Sequence, residues 1–506
     1  MSTLKNMVSE GKKFYCGKDD NYIAVFIDFI ERLIIVCYNK LSMHPIHQND
    51  GANNISIERY KCDGTMCQGG LAMEKTICEL FAGVGGFRVG FDRLSSGWNT
   101  SWFSQWEPGK KKQWAHDCYV NHFGDCQDLS GAYTTGIDIS DVDKNVVPDH
   151  TLLVGGFPCQ DYSVAHSLSS SKGIEGKKGV LWWQIRDVLI AKRPPFVLLE
   201  NVDRLLKSPA SQRGRDFGII LTSFAQLGYR VEWRVVNAAE YGAAQRRRRT
   251  FIFAYLNTTE YAKNNDQKDP IEILTEEGFM AKAFKIESID TVKECEVMWS
   301  DISSVDASVL LSVGTEASDN DLIEMTKSFQ FGFGNAGYMI NGAVVTADVV
   351  PSLEDPTILR EVAQSNVDEG YYIKQEDMAA WMYMKGAKKI ERTAANGHNY
   401  IFSEGPIAFP DPLDRPSRTM LTSESTKNRS THVVADPGTG RLRLITEIEA
   451  ERLQGFDDNW TKDCLTEGQI VEMPKRMRYF CMGNALVVPM ITRMGKVLDT
   501  IIELEK

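Results

Sequence analysis

The apolar run Thr151-Leu152-Leu153-Val154 stops abruptly at Gly155-Gly156-Phe157-Pro158-Cys159-Gln160. A short apolar run ended by glycine and proline reads as a buried strand. In open α/β sheets, ligands bind beyond the carboxyl ends of the strands, which is where Cys159 stands. Pro158 fixes the local backbone, so the thiol is aimed rather than free to wander. Taken alone, such a cysteine reads equally well as a small core residue behind a turn.

The surrounding chain alternates strand and helix. Thr76 to Phe81 reads as a strand, Ala82-Gly83-Val84-Gly85-Gly86 as a tight loop, and Phe87 to Leu94 as a helix. Glycines there let the backbone approach a ligand and leave helix N–H groups pointing at it. A second strand, Thr100 to Gln105, leads into Trp106-Glu107. An acid about 20 positions after such a loop is where nucleotide folds bind a ribose hydroxyl pair. Gly136-Ile137-Asp138-Ile139 reads as another strand-end acid, and the three features together indicate a nucleoside cofactor. The polar loop Asp161 to Lys178 reads as a lid or as a plain surface loop.

A helix over Leu181 to Lys192 and a strand over Pro195 to Leu199 follow, and the strand ends in Glu200-Asn201-Val202. Glu200 thus holds the same position on its strand as Cys159 on its own. After a helix (Phe217 to Leu227) and a strand (Tyr229 to Val236), Gln245-Arg246-Arg247-Arg248-Arg249 leads into the strand Thr250 to Tyr255. Four arginines in a row are ordinarily a solvated patch, but at the start of a strand alternate ones point to opposite faces. Near the end, Thr446 with Glu449 predicts a capping box, and Gly483-Asn484-Ala485 precedes a helix to Glu503.

Composition sets the limits. At 506 residues, 43% hydrophobic and 25% charged, the chain has ample core for two or three domains. The apolar stretch Tyr22 to Tyr38 is interrupted by Asp28, Glu31 and Arg32, which predicts an amphipathic segment rather than a membrane span. No signal peptide is expected. The eleven cysteines include no C-x-x-C pair. Cys62 and Cys67 are too little for a zinc site, so no metal is expected and a reducing cytoplasm is. The net charge of −11 argues against nucleic acid until its distribution is considered. From Asn257 to Pro412 there are 27 acidic and 12 basic residues, so the acidity belongs to one segment. Steering depends on local fields.

Together, Phe81-Ala82-Gly83-Val84-Gly85-Gly86, Phe157-Pro158-Cys159-Gln160, Glu200-Asn201-Val202, Gln245-Arg246-Arg247-Arg248-Arg249 and Gly483-Asn484-Ala485 resemble the bacterial cytosine-C5 DNA methyltransferases. The elements stand in that family's order, over Lys75 to Tyr255 and about Arg415 to the C-terminus. The resemblance implies an α/β, doubly wound S-adenosylmethionine-dependent methyltransferase fold with an inserted, smaller target-recognition domain. The expected divisions are an extension of unassigned role (1–72), catalytic parts at 73–256 and 430–506, and recognition at 257–429.

It further implies methyl transfer to C5 of a flipped-out cytosine in a specific duplex DNA site. Cys159 would add to C6, Glu200 would protonate N3, and Arg247 would hold the O2 edge with Arg249 in support. S-adenosylmethionine would lie against Phe81, Ala82, Gly83, Val84, Gly85 and Gly86. Glu107 would bind the ribose, Asp138 and Ile139 the adenine, and Pro158, Leu181 and Asn484 the remainder. Double-stranded DNA is the implied partner of a monomeric protein. A cognate restriction endonuclease is a companion by function, if the enzyme is not solitary. A tRNA cytosine methyltransferase is the alternative; it shares the proline-cysteine motif, but the cysteine-phenylalanine-threonine motif usual there is absent. Within the recognition segment, 257–325 is expected to face solvent and Phe329 to Arg429 to face DNA. The aromatic-glycine run Phe329 to Gly334 and the cluster Lys385, Lys388, Lys389 and Arg392 are its marks.

Overall fold

The computed structural model describes residues 73–157, 180–297, 328–393, 397–424 and 426–505, together with the backbone strands at 14–15, 22–29 and 32–39. Pro158, Cys159, the polar loop to Lys178, and Cys62 and Cys67 lie outside the described residues. The chain divides into two compact units, Met1–Ala72 and Met73–Lys506. In the first, Phe14–Tyr15 (β1), Tyr22–Phe29 (β2) and Arg32–Asn39 (β3) form an antiparallel sheet. The stretch expected to be one amphipathic segment is therefore a hairpin, with Ile30 and Glu31 between its strands. Its wealth of Ile, Val and Phe favours the extended chain.

The second unit is built on a nine-stranded sheet. Its parallel half comprises Thr76–Leu80 (β4), Asn99–Ser104 (β5), Leu152–Gly156 (β6) and Phe196–Val202 (β7). Tyr229–Asn237 (β8) and Arg248–Leu256 (β9) continue it antiparallel. The order runs β5-β4-β6-β7-β9-β8 from one edge. Residues of these strands alternate between two cores. Ile77, Val154, Leu198 and Phe253 enter one, with Phe91 and Ile491; Cys78, Leu153, Leu199 and Ile252 enter the other, with Trp182 and Phe224. Both faces are thus covered, which is why the strands read as continuous apolar runs. Helices Gly86–Asp92 (α1) and Val488–Leu504 pack on the first face; Val180–Lys192 (α3) and Arg215–Gln226 (α4) serve the second, and Trp114–Phe123 (α2) follows β5. No described helix is long and apolar enough to cross a membrane.

The sheet does not end where the acidic segment begins. Ile286–Glu296 (β10), Ala336–Ile340 (β11) and Ala343–Pro351 (β12) extend it beyond β8, in the order β8-β11-β12-β10. Asn341 (φ 49°) and Gly342 (φ 85°) make the two-residue turn between β11 and β12, the Asn-Gly signature of a hairpin. The aromatic-glycine run before them is core. Phe333 meets Phe217 and Trp233 edge-on at 5.0 and 5.8 Å, and Phe329 covers Gly218 on α4. This corrects the expectation that Phe329 begins a DNA-facing stretch, because the rings bury their area against α4 and β8 instead.

Beyond β12 the chain forms Met378–Lys385 (α5) and an isolated hairpin, Lys388–Thr393 (β13) and Asn399–Glu404 (β14). Glu447–Gln454 (α6) carries the expected box: Glu449 N–H donates to Thr446 Oγ1, and Thr446 N–H to Glu449 Oε2. Lys475–Asn484 (α7) and Val488–Leu504 (α8) close the chain.

Candidate active site

Strand order reverses around β4. The chain moves from β4 outward to β5, then returns to β6 on the other side. A crevice opens beyond the carboxyl ends of strands at such a switch point. The loop after β4 borders it, and β6 leads towards Pro158 and Cys159.

The β4–α1 loop is held in one shape. Phe81 (φ 55°) and Gly83 (φ 59°) adopt left-handed backbone, and Gly85 (φ 88°) caps α1. A Cβ on Gly85 would come within 2.6 Å of the Phe123 ring, so a side chain is excluded by both conformation and space. Gly83 N–H donates to Gln105 Oε1 (2.7 Å). Beneath the loop, Glu79 is fully buried; its Oε2 accepts from the Tyr119 hydroxyl (3.0 Å), and its Oε1 has no hydrogen-bond partner among the described residues. Burial pushes its carboxyl up to about 8.

Glu107 hangs from a loop braced by Gln113. Its N–H donates to Gln113 Oε1 (2.6 Å), and Gln113 Nε2 donates back to its carbonyl (3.0 Å). Glu107 Oε2 is buried without a hydrogen-bond partner among the described residues, and burial raises the carboxyl above its ordinary value. An acceptor stranded in this way fits a pair of ligand hydroxyls. The loop and Glu107 therefore fit the nucleoside end of S-adenosylmethionine. Phe81, Ile137 and Leu181 are half-buried against the core containing Leu80 and Ile139. Asn484, at the end of α7, is exposed. Asp138 needs correction: it ends no strand. Its carboxylate accepts from Ser140 N–H (3.0 Å) and caps the short turn Ile139–Asp141, a local bond that competes with strand pairing.

The arginine run alternates as its position predicts. Arg246 and Arg248 are exposed, while Arg247 and Arg249 turn inward. Arg249 Nε lies 2.6 Å from Glu200 Oε1. Arg247 is 1% exposed; its Nη1 and Nη2 donate to the carbonyls of Met420 (3.2 Å) and Gly483 (3.0 Å). Gly483 is needed at that seam, since a Cβ there would meet Thr422 N at 2.4 Å. Arg247 is thus walled in by backbone from two distant segments, and it is Arg249 that stands beside Glu200. The expectation had Arg247 at the base's O2 edge and Arg249 in support. Glu200 is also close to the end of β6: its Oε2 would lie 3.3 Å from a Cβ on Gly156, its partner in register.

Of the expected basic cluster, Lys385 is interior. It is 1% exposed, its Nζ donates to the carbonyls of Arg429 (2.8 Å) and Thr431, and burial lowers it to about 8. It is unavailable to a phosphate. Lys389 and Arg392 are exposed.

Comparison with known proteins assigns the family. The profile of C-5 cytosine-specific DNA methylases matches residues 75–500. The chain belongs to that family. This methylase is 46% identical over 428 residues to the type II methyltransferase M.Sau3AI of Staphylococcus aureus, covering 84% of this chain and 95% of that protein. It is 36% identical to M.NgoBI of Neisseria gonorrhoeae over 36% of this chain and 51% of that one. With M.NlaIV of Neisseria lactamica the identity is 25%, over 70% and 84%. The methylase is accordingly a DNA (cytosine-5-)-methyltransferase of an S-adenosylmethionine-dependent family.

Sequence reasoning passed over Gln105 and Gln113, which brace the loop after β4 and the loop carrying Glu107. The only signal was their place, one closing β5 and one opening α2. It also passed over Glu79, an acid inside an otherwise apolar strand.

Proposed function

We propose that this methylase modifies a cytosine flipped out of a specific duplex site through a covalent adduct between Cys159 and C6. The observation that carries the reading is the Arg249–Glu200 pair at the carboxyl end of β7, beside the end of β6. Cytosine C5 is a poor nucleophile until a thiolate adds to C6. That addition forms the S–C6 bond and moves the C5=C6 electrons through the ring as N3 takes a proton from Glu200. The resulting enamine carbon can accept a methyl cation equivalent, which S-adenosylmethionine supplies when bound. Loss of the C5 proton to a water molecule then restores the double bond and expels the Cys159 thiolate, and the N3 proton returns to Glu200.

Arg249 takes the role of holding the base's O2 edge while it fixes the Glu200 carboxyl. Arg247 acts one layer below, locking Met420 and Gly483 together. Phe81, Ala82, Gly83, Val84, Gly85 and Gly86 would hold the cofactor's body, Glu107 its ribose, and Asp138 and Ile139 its adenine. Leu181, Pro158 and Asn484 would close the pocket. Flipping costs a few kcal/mol, which duplex contacts elsewhere must offset.

Site selection is assigned to residues 352–429, because the strands Ile286–Glu296, Ala336–Ile340 and Ala343–Pro351 belong to the central sheet. By analogy with its type II relatives, the enzyme serves as the modification half of a restriction-modification system or acts alone. The test is methyl incorporation into duplex DNA and into tRNA, followed by bisulfite mapping of the DNA. Label in one class of cytosine within a fixed duplex sequence supports the reading. Label confined to tRNA refutes it.

A further inference from the structure

Among the described residues the β13–β14 hairpin pairs with no other strand. Its register places Lys388, Ile390, Arg392, Tyr400, Phe402 and Glu404 on one face. On that face the Lys388 ammonium lies 4.8 Å from the centre of the Tyr383 ring on α5, and within the hairpin itself the Arg392 guanidinium lies 3.9 Å from the centre of the Phe402 ring. The other face carries Lys389, Glu391, Thr393, Asn399, Ile401 and Ser403, all exposed. Ile401 is 64% exposed, although a large aliphatic side chain on a strand ordinarily packs against something.

The hairpin is nonetheless held rigidly at its base. Arg429 donates to the carbonyls of Met384 (2.7 Å), Gly386 (3.0 Å) and Gly405, so one guanidinium clamps the chain both entering and leaving the ribbon. Lys385 ties Arg429 and Thr431 to α5. The clamp is continuous with the arginine element. Arg418 donates to Ser430 O (3.2 Å), and the neighbouring Ser417 exchanges backbone bonds with Ala244 (2.8 Å) and Arg246 (2.9 Å). The ribbon's orientation is therefore tied to Arg247 and Arg249.

We infer that the outer face of this hairpin lies in the major groove of the recognised DNA and reads base edges there. The inference rests on the assignment of site selection to 352–429 and names the element and the side chains within it. A two-stranded ribbon fits a major groove about 12 Å wide. The face offers what that groove requires. The Lys389 ammonium and the Asn399 amide are donors for purine N7, guanine O6 and thymine O4, and Ile401 is an apolar partner for a thymine methyl. Thr393 donates to Asn399 Oδ1 (2.8 Å), which turns the Asn399 NH2 outward. The cations of the inner face supply favourable charge towards the phosphates: Glu404 is already paired with Lys388 (3.8 Å) and Arg429 (3.6 Å), and Arg392 is exposed.

The experiment methylates a random-site duplex library with wild type, Lys389→Ala, Asn399→Ala, Asn399→Ser and Ile401→Ala, and maps the modified cytosines. Lys496→Ala, an exposed cation on α8, is the control. Each hairpin variant is expected to keep its thermal midpoint and S-adenosylmethionine binding but to lose about tenfold or more in discrimination at one base position. The control should keep the wild-type site. Unchanged preference in all hairpin variants overturns the inference. If alanine blocks elsewhere in 352–429 then shift the site, recognition lies there and only the hairpin assignment fails; if none does, the wider assignment fails with it. Weakening that is equal for all sequences, with a flatter salt dependence, would mark a phosphate-binding ribbon and also overturn base reading.

Discussion

Arg249 and Glu200 meet diagonally across the antiparallel seam between β9 and β7, with Nε and Oε1 2.6 Å apart. Arg247, two residues earlier, has no carboxylate partner among the described residues, and its guanidinium donates to two backbone carbonyls. The two arginines should therefore fail differently. Arg249→Ala and Glu200→Gln should each lower kcat roughly 100-fold or more, with S-adenosylmethionine affinity and thermal midpoint close to wild type. Arg247→Ala should instead destabilise by roughly 3–5 kcal/mol, from two orphaned carbonyls and a cavity. Single-turnover rates beside urea unfolding separate the two outcomes.

Glu107 offers a buried carboxylate oxygen with no hydrogen-bond partner among the described residues. Glu107→Ala should raise the Kd for S-adenosylmethionine about 10- to 100-fold, the worth of hydrogen bonds to a charged group. Saturating cofactor should recover most of kcat. Calorimetric titration against S-adenosylmethionine checks the first statement, and a full substrate curve the second.

Glu79 makes stability depend on pH. Its carboxyl is pushed from an ordinary 4.5 up to about 8. Because the folded value lies above the unfolded one, its contribution is complete below about pH 4.5 and is lost as pH rises through 8. The loss is of the order of 4 kcal/mol across that window. Glu79→Gln keeps an acceptor for the Tyr119 hydroxyl and removes the titration. Urea midpoints at pH 5.5, 7 and 9 should fall more steeply for wild type than for the variant.

The two compact units divide at Ala72 and Met73. A chain beginning at Met73 should fold and methylate DNA with kcat within about twofold of the full chain, since every side chain invoked in the chemistry lies beyond it. Circular dichroism and methyl incorporation on the truncated protein test this.

The parallel half of the sheet was legible because strands buried on both faces leave uninterrupted apolar runs between glycine turns. Thr446 and Glu449 were legible as a capping box for a similar reason: the bonds are local. What escaped was decided at long range. Lys385 looks like a DNA contact in sequence, yet carbonyls more than forty positions away draw it inside. Arg247 and Arg249 are indistinguishable by type, and only Met420 and Gly483 decide between them. Asp138 preferred a turn because Ser140 was within reach of its carboxylate. The extension of the sheet past Asn257 had a local signal that went unused, the Asn341-Gly342 turn ahead of the β-branched run Val344-Val345-Thr346.

The account turns on Cys159 as the attacking nucleophile. The most direct measurement is trapping on duplex DNA carrying 5-fluorocytosine at the methylated position, with S-adenosylmethionine present, read as a band resistant to denaturing electrophoresis. Fluorine cannot leave as the C5 proton does, so wild type should accumulate a covalent complex. Cys159→Ser should form none while still binding the DNA, a hydroxyl being a far weaker nucleophile than a thiolate. A complex formed by Cys159→Ser, or none formed by active wild type, would contradict the account.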